Sequence, residues 1–206
     1  SFDNFSGGPK YVISKLGEIP VIAFNGNDLL WTSHNFDHLT TTGYTIISLS
    51  RNTGYKDGRI ISSRNRNFLF GYHFGKVNSW YAEGWIHPSS RIDTLWHIHV
   101  GTIEAKGGDP RASFWLDGNL LVSNSKGSHH TNFGPGQLQL GGWKTSTEMS
   151  TCEVAEIMIF DRQISDSERL KLEGSLAHKW GIESDILQAN HPYHAYNPFG
   201  GAQAVT

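Results

Sequence analysis

Three kinds of side chain in this sequence could do chemistry. The histidines number eleven, and two pairs stand out: His97 with His99, which share a face at strand spacing, and His129 with His130. A catalytic zinc takes three protein ligands and leaves one position open. No H-E-x-x-H and no third ligand accompanies either pair, so His97 is read as a packing or hydrogen-bonding residue, and His191 and His194 as surface or satisfied residues. Glycoside hydrolysis needs two carboxyl groups flanking the scissile bond, about 5 to 5.5 Å apart for retention. Glu153 and Glu156 stand three apart in "CEVAEIMIF", and regular alternation sends them to opposite faces of a strand. No nucleophile elbow, phosphate loop or dinucleotide fingerprint stands between a strand and a helix. These residues predict a chain without catalytic function.

The aromatics carry more. Residues 75–87, "GKVNSWYAEGWIH", hold Trp80, Tyr81 and Trp85 among Gly, Asn and Glu. Sugars are gripped by such rings stacking on their apolar C–H faces while neighbouring polar groups take the hydroxyls. Residues 124–137, "NSKGSHHTNFGPGQ", form a long polar loop that places His129 and His130 on a rim, and Trp143 follows "LGG" near the same rim, with a place in the core equally open to it. The expected ligand-binding set is therefore Trp80, Tyr81, Trp85, His129, His130 and Trp143. The alternative for Trp85, as for Trp96 and Trp115, is a place in the core, and for Trp80 and Tyr81 both readings stay open.

The elements that position these residues are strands. "YTIISLSR" (44–51), "RIISS" (59–63), "FLFGYHFG" (68–75), "WHIHVGTIE" (96–104), "ASFWLDGNLLV" (112–122), "QLQLGG" (137–142) and "CEVAEIMIF" (152–160) are rich in β-branched and aromatic residues and separated by Gly, Asn, Asp and Pro. In the fourth, Trp96, Ile98 and Val100 alternate with His97, His99 and Gly101, which predicts a half-buried strand. In the last, Ala155, Ile157 and Ile159 fall on one face and Val154, Glu156, Met158 and Phe160 on the other, which predicts a strand covered on both sides. One helix follows. Ser165 and Glu168 form a capping box, Leu172, Leu176 and Trp180 make an apolar stripe beside Ala177, and Gly181 is placed to end the helix. This helix is expected to cover one end or face of a sandwich.

Composition agrees. With 206 residues, 17% charged, 12% aromatic and 23 glycines, the chain suits one all-β domain over 1–206, with residues 1–18 as a mobile N-terminal segment and 182–206 as an irregular tail. A formal net charge of −2 gives no footprint for nucleic acid. No apolar run is long enough for membrane insertion. The single cysteine, Cys152, has no disulfide partner in the chain and is expected to pack as a small apolar side chain.

"WHIHVGTIE" followed by "RASFWLDGNLLVS" resembles the Trp-His hairpin and Phe-x-x-Asp-Gly turn of concanavalin A-like domains of the laminin G type, in the LamG-like jelly-roll branch. "IPVIAFNGNDLLW" is similar to that branch's opening strand and turn. The ending "EVAEIMIFDRQISDSERLKLEGSLAHKWG", with its later "HPY", is similar to tails seen in proteins of marine bacteria and their phages. The resemblance implies a concanavalin A-like β-sandwich (jelly roll) of two antiparallel sheets with one short C-terminal helix. It implies a lectin-like module that binds a carbohydrate or glycoconjugate outside the cell or on a cell or virion surface. The alternative is a structural or decoration protein of a virion or cell surface that assembles with itself or with other surface proteins as an oligomer. Relatives often hold calcium through an Asp where this chain has Ala155, so no cofactor is expected; Asn27, Asp28 and Glu156 are the oxygen donors a calcium ion would draw on.

Overall fold

The computed structural model describes the chain except residues 1, 6–7, 14–15, 17–18, 90, 106–108, 128–133 and 201–206. β1 (Phe2–Phe5), β2 (Lys10–Ile13), β3 (Pro20–Asn25) and β4 (Leu29–Thr32) open the chain, and one helical turn, α1 (Leu39–Thr42), leads into the long β5 (Tyr44–Asp57). β6 (Ile61–Ser63), β7 (Phe68–His73), β8 (Lys76–Ala82) and β9 (Trp85–His87) follow as consecutive neighbours. β10 (His97–Glu104), β11 (Arg111–Leu116) and β12 (Asn119–Ser125) make a second run, and β13 (Leu138–Leu140) and β14 (Ser150–Phe160) precede α2 (Asp166–Trp180) and α3 (Glu183–Ile186). The front sheet has the order β1-β4-β13-β6-β7-β8-β9 and the back sheet β12-β11-β10-β5-β14-β3-β2. Every pairing is antiparallel, which makes the chain a β-sandwich of the jelly-roll kind.

Between the sheets lies one core, built from Phe68, Phe70 and Tyr72 of β7, Trp80 of β8, Ile46 of β5, Phe114 of β11 and Val154 of β14. A second core lies on the outside of the back sheet. There Ile47 and Leu49 of β5 and Ile98 and Val100 of β10 meet Leu176, Ala177 and Trp180 of α2. The helix thus covers a face, and its predicted devices are present. Ser165 accepts the Glu168 N–H, Glu168 reaches back to the Ser165 N–H, and Gly181 ends the helix at φ 65°.

This double coverage changes the reading of two strands. β10 is buried on both sides: the Trp96, Ile98, Val100 face meets the helix layer, while His99 and Gly101 face the front sheet. A Cβ on Gly101 would lie 2.6 Å from Phe70 and 2.8 Å from Trp80, so only glycine fits there. In β14 the register against β5 slips between Val154 and Glu156. That bulge reverses the parity. Val154 joins Ile157 and Ile159 on the inner side, and Ala155 joins Met158 and Phe160 on the helix side, instead of the division that regular alternation predicts.

The ends also differ from expectation. Within the first 18 residues, 2–5 pair with β4 and 10–13 with β3, and α3 interrupts the predicted irregular tail. Cys152 is buried in the inter-sheet core, as expected. Ser165→Ala is expected to lower unfolding free energy by about 1 kcal/mol, and Trp80→Ala by about 3–5 kcal/mol because it empties a site in the inter-sheet core. Urea denaturation followed by circular dichroism measures both.

Candidate functional site

On the outer face of the front sheet a single row of directly paired residues crosses six strands. Trp31 of β4 pairs with Gln139 of β13, Gln139 with Ser62 of β6, Ser62 with Leu69 of β7, Leu69 with Tyr81 of β8, and Tyr81 with Trp85 of β9. Directly opposed residues share a face of the sheet. Trp31, Tyr81 and Trp85 are half-buried, and the Tyr81 and Trp85 rings meet edge to face at 5.2 Å. Five strand spacings separate Trp31 from Trp85, roughly 24 Å.

The middle of the row, Gln139, Ser62 and Leu69, is fully buried because residues 141–149 fold over it. Gln139 donates to the Lys144 carbonyl at 2.8 Å and Ser62 to the Gly142 carbonyl at 2.5 Å. This flap lays Trp143 on the surface, its indole N–H donating to the Arg66 carbonyl at 3.2 Å. Beneath Trp143 lies the Arg59 guanidinium, 3.9 Å from the ring centroid. Arg59 is 4% exposed and donates to Glu148, to Asn67 Oδ1 at 2.9 Å and to the Phe68 carbonyl at 3.0 Å. Burial pulls its pKa below the usual arginine value, against the opposing pull of Glu148. Glu148 also approaches His73 at 3.4 Å, and His73 packs on Trp85 at 5.5 Å, which closes the path from flap to strand β9. The flap that carries Trp143 thereby covers the middle of the row.

A second concave region, a cleft of about 670 Å³, opens at the end of the back sheet between Trp96, Asn78, Asn119, Arg51, Arg91 and Gln188. One wall is fixed by His97, whose Nδ1 lies 2.7 Å from Asp117 and whose Nε2 lies 2.8 Å from Asp93. Burial alone would lower its pKa, but the hydrogen bonds and charges of Asp117 and Asp93 outweigh burial and hold it above the usual histidine value. His99, behind it, is fully buried against Tyr72 and Phe114. Burial, then the His97 charge, pushes it well below that value, so it is neutral. Asp117 is the first residue of the Asp117–Gly118 turn, at φ 50°, and its other oxygen accepts the Ile98 N–H at 2.9 Å. The Trp-His and Asp-Gly motifs singled out in the sequence are thus two halves of one clamp.

Of the six expected ligand-binding residues, Tyr81, Trp85 and Trp143 are brought onto one surface. Trp80 is not: it is fully buried between the sheets against Phe70 and Phe114, because the strand parity that exposes Tyr81 turns its neighbour inward. His129 and His130 lie outside the described residues. The row adds Trp31, which sequence reasoning missed; the signal was its position next to the inward Leu30 in "NDLLWT". The calcium donors are not assembled. Asn27 Oδ1 accepts Lys56 Nζ at 2.8 Å, Asp28 is buried in the β3–β4 turn, and Glu156 accepts Lys179 at 2.6 Å and the Trp180 indole at 3.1 Å against α2. The bulge in β14 also brings Glu153 and Glu156 to the same, helix-covered side, contrary to the alternation, with Glu153 paired to Arg51 at 2.9 Å.

No family model matches the chain, and no curated protein matches it by sequence. Among solved structures it is similar to the binding domain of Paraclostridial Mosquitocidal Protein 1, with a TM-score of 0.63, 12% identity and coverage of 85% of this chain and 47% of that one. It is also similar to the binding domain of Botulinum Neurotoxin DC in complex with SialylT (TM-score 0.56, 12% identity, 85% and 46% covered). A third match is the Trypanosoma rangeli sialidase with 2,3-difluorosialic acid (TM-score 0.55, 13% identity, 81% and 28% covered). The chain spans less than half the length of each. At these identities the likeness shows a shared β-sandwich fold.

The His97 clamp sets a pH dependence. A raised folded pKa adds stability that is fully present below the unfolded value of about 6.5 and is lost as pH rises through the folded value. Burial raises the Asp93 pKa, but His97, the Leu95 N–H and Arg91 together outweigh it and hold it below the usual value; that contribution acts at the acid end and is lost as pH falls through the depressed value. Urea midpoints of the wild-type chain are expected to fall from pH 6 to pH 9, and His97→Gln is expected to flatten that decline. An unchanged slope in the variant would remove the clamp from the account.

Proposed function

We propose that this chain is a non-catalytic, lectin-like module that holds a glycan along the outer face of its front sheet, on Trp31, Trp143, Tyr81 and Trp85. The observation that carries the reading is the register. Rings of β4, β8 and β9 fall on one paired row across the sheet, long enough for several sugar rings, and the 141–149 flap that covers the middle of the row adds Trp143, with polar groups of His73, Glu148 and Lys144 beside them. Aromatic faces of this kind stack on the apolar side of pyranoses while polar neighbours take hydroxyls.

Support at the level of fold comes from a similar binding domain, that of Botulinum Neurotoxin DC, solved in complex with SialylT. The four motifs noted in the sequence support a place in the LamG-like branch and a partner outside the cell or on a cell or virion surface. A non-catalytic role is supported by the two strand carboxylates, each already engaged by a cation. The row uses none of Asn27, Asp28 and Glu156, so the binding proposed here is independent of calcium.

Self-assembly on a virion or cell surface is a second reading, favoured by one observation. Edge strand β2 carries Tyr11 and Ile13 at 75% and 77% exposure, beside a strand edge that no other strand pairs among the described residues. A defined oligomer by light scattering, abolished by Tyr11→Lys, supports it.

The test of the first reading is a polysaccharide and glycan array, run with calcium and with a chelator. Saturable binding is expected under both conditions, and Tyr81→Ala or Trp85→Ala is expected to weaken it about three- to tenfold. Binding that survives both substitutions, from protein shown to be folded, would contradict the reading.

A further inference from the structure

Two of these four rings do not present a bare face. The Arg64 guanidinium lies 4.4 Å from the centroid of Trp31, and Lys144 Nζ lies 4.5 Å from the centroid of Trp143, which already has Arg59 against it. Both cations are exposed. Among the described residues neither has a carboxylate within ion-pair distance, whereas Arg59 is engaged with Glu148 and Arg66 with Asp37. Of the acids of the face, Glu148 and Asp37 are taken by Arg59 and Arg66, and Glu83, which accepts the Asn67 N–H at 3.0 Å, keeps its charge and offsets one of the two free cations. The surplus charge here is positive on a chain whose formal net charge is −2.

Lys144 is also held in place by the backbone. It sits at φ 54°, a region that L side chains rarely adopt, inside a turn closed by two hydrogen bonds between Trp143 and Thr147 of 2.7 and 3.1 Å. A neutral sugar needs an open ring face, and a capped ring offers one only if the cation leaves. An anionic group meets the cation where it already stands, above an aromatic ring that favours it.

From this we infer that the ligand of the front sheet is an anionic polysaccharide, its carboxylate or sulfate groups received by Arg64 and Lys144 and its apolar sugar faces by Tyr81 and Trp85. The inference rests on the glycan reading above and adds the charge of the ligand. A nucleic acid would share the anionic backbone but would need the clustered basic surface that the chain lacks.

The experiment uses chemically matched pairs, polygalacturonate against its methyl-esterified form and dextran sulfate against dextran. Each is titrated calorimetrically with the full chain in low and high salt, alongside a single-stranded oligonucleotide. The charged member of at least one pair is expected to bind at least tenfold more tightly than its neutral form, with the preference shrinking at high salt. The double variant R64Q/K144Q is expected to lose about three- to tenfold of that affinity, while Trp85→Ala weakens both members. Circular dichroism confirms that each variant is folded. Equal binding of charged and neutral forms, unchanged in R64Q/K144Q, would overturn the anionic assignment and leave the glycan reading standing. Binding of neither form, or tighter binding of the oligonucleotide, would overturn both.

Discussion

The buried guanidinium of Arg59 is the contact on which the front face depends. A charge taken out of water must be matched on every side, and here Glu148, Asn67 Oδ1, the Phe68 carbonyl and the Trp143 ring do so together. Two of those partners, Glu148 and Trp143, belong to the 141–149 flap, and the other two to the turn into β7. Satisfying one cation therefore pins the flap to the sheet. The flap in turn buries Gln139, Ser62 and Leu69, which would otherwise leave a gap in the aromatic row. The surface that we assign to glycan binding is, in this sense, a by-product of desolvating one arginine.

The back sheet obeys a different constraint. It carries a core on each side, so β5, β10 and β14 need apolar residues at odd and even positions alike, and a bulge in β14 adjusts which of them meet the helix. Several charged side chains of that sheet are paired, Glu156 with Lys179 and the Trp180 indole, Glu153 with Arg51, His97 with Asp93 and Asp117, while the small polar groups of Ser48, Ser50 and Thr102 and the His99 ring are buried without a hydrogen-bond partner among the described residues. The carboxylates that could have suggested catalysis are consumed by holding the helix and the hairpin in place. With one sheet committed to internal packing, the open and aromatic surface is left to the other.

Much of this was legible in the residues. The β-branched runs at 44–51, 68–75, 96–104 and 152–160 are strands, and the Ser165–Glu168 capping box starts the helix. What alternation gives, however, is parity and not the identity of the neighbour on each side. Thus the His97–His99 face, polar by composition, turned out to face the interior, and Trp80 and Tyr81 separated into core and surface. Strands β8 and β9 are not marked in the sequence because Lys, Asn and Ser dilute the apolar residues of β8 and β9 is only three residues long. The row itself could not be read from the chain at all. Trp31, Trp143 and Trp85 are far apart in sequence, and only the pairing of β4 through β9 and the folding of a flap bring them onto one surface.

The seven tryptophans offer a direct measurement, because each indole N–H gives its own signal in a proton–nitrogen correlation spectrum of the labelled chain. Titration with oligosaccharides cut from a polysaccharide that binds should shift the signals of Trp31, Trp85 and Trp143 together. Those of Trp80, Trp96, Trp115 and Trp180, buried or on the other sheet, should stay in place. Shifts confined to Trp96, which lines the back-sheet cleft, or to Trp115 beside α2 would place the ligand elsewhere and contradict the assignment of the front face.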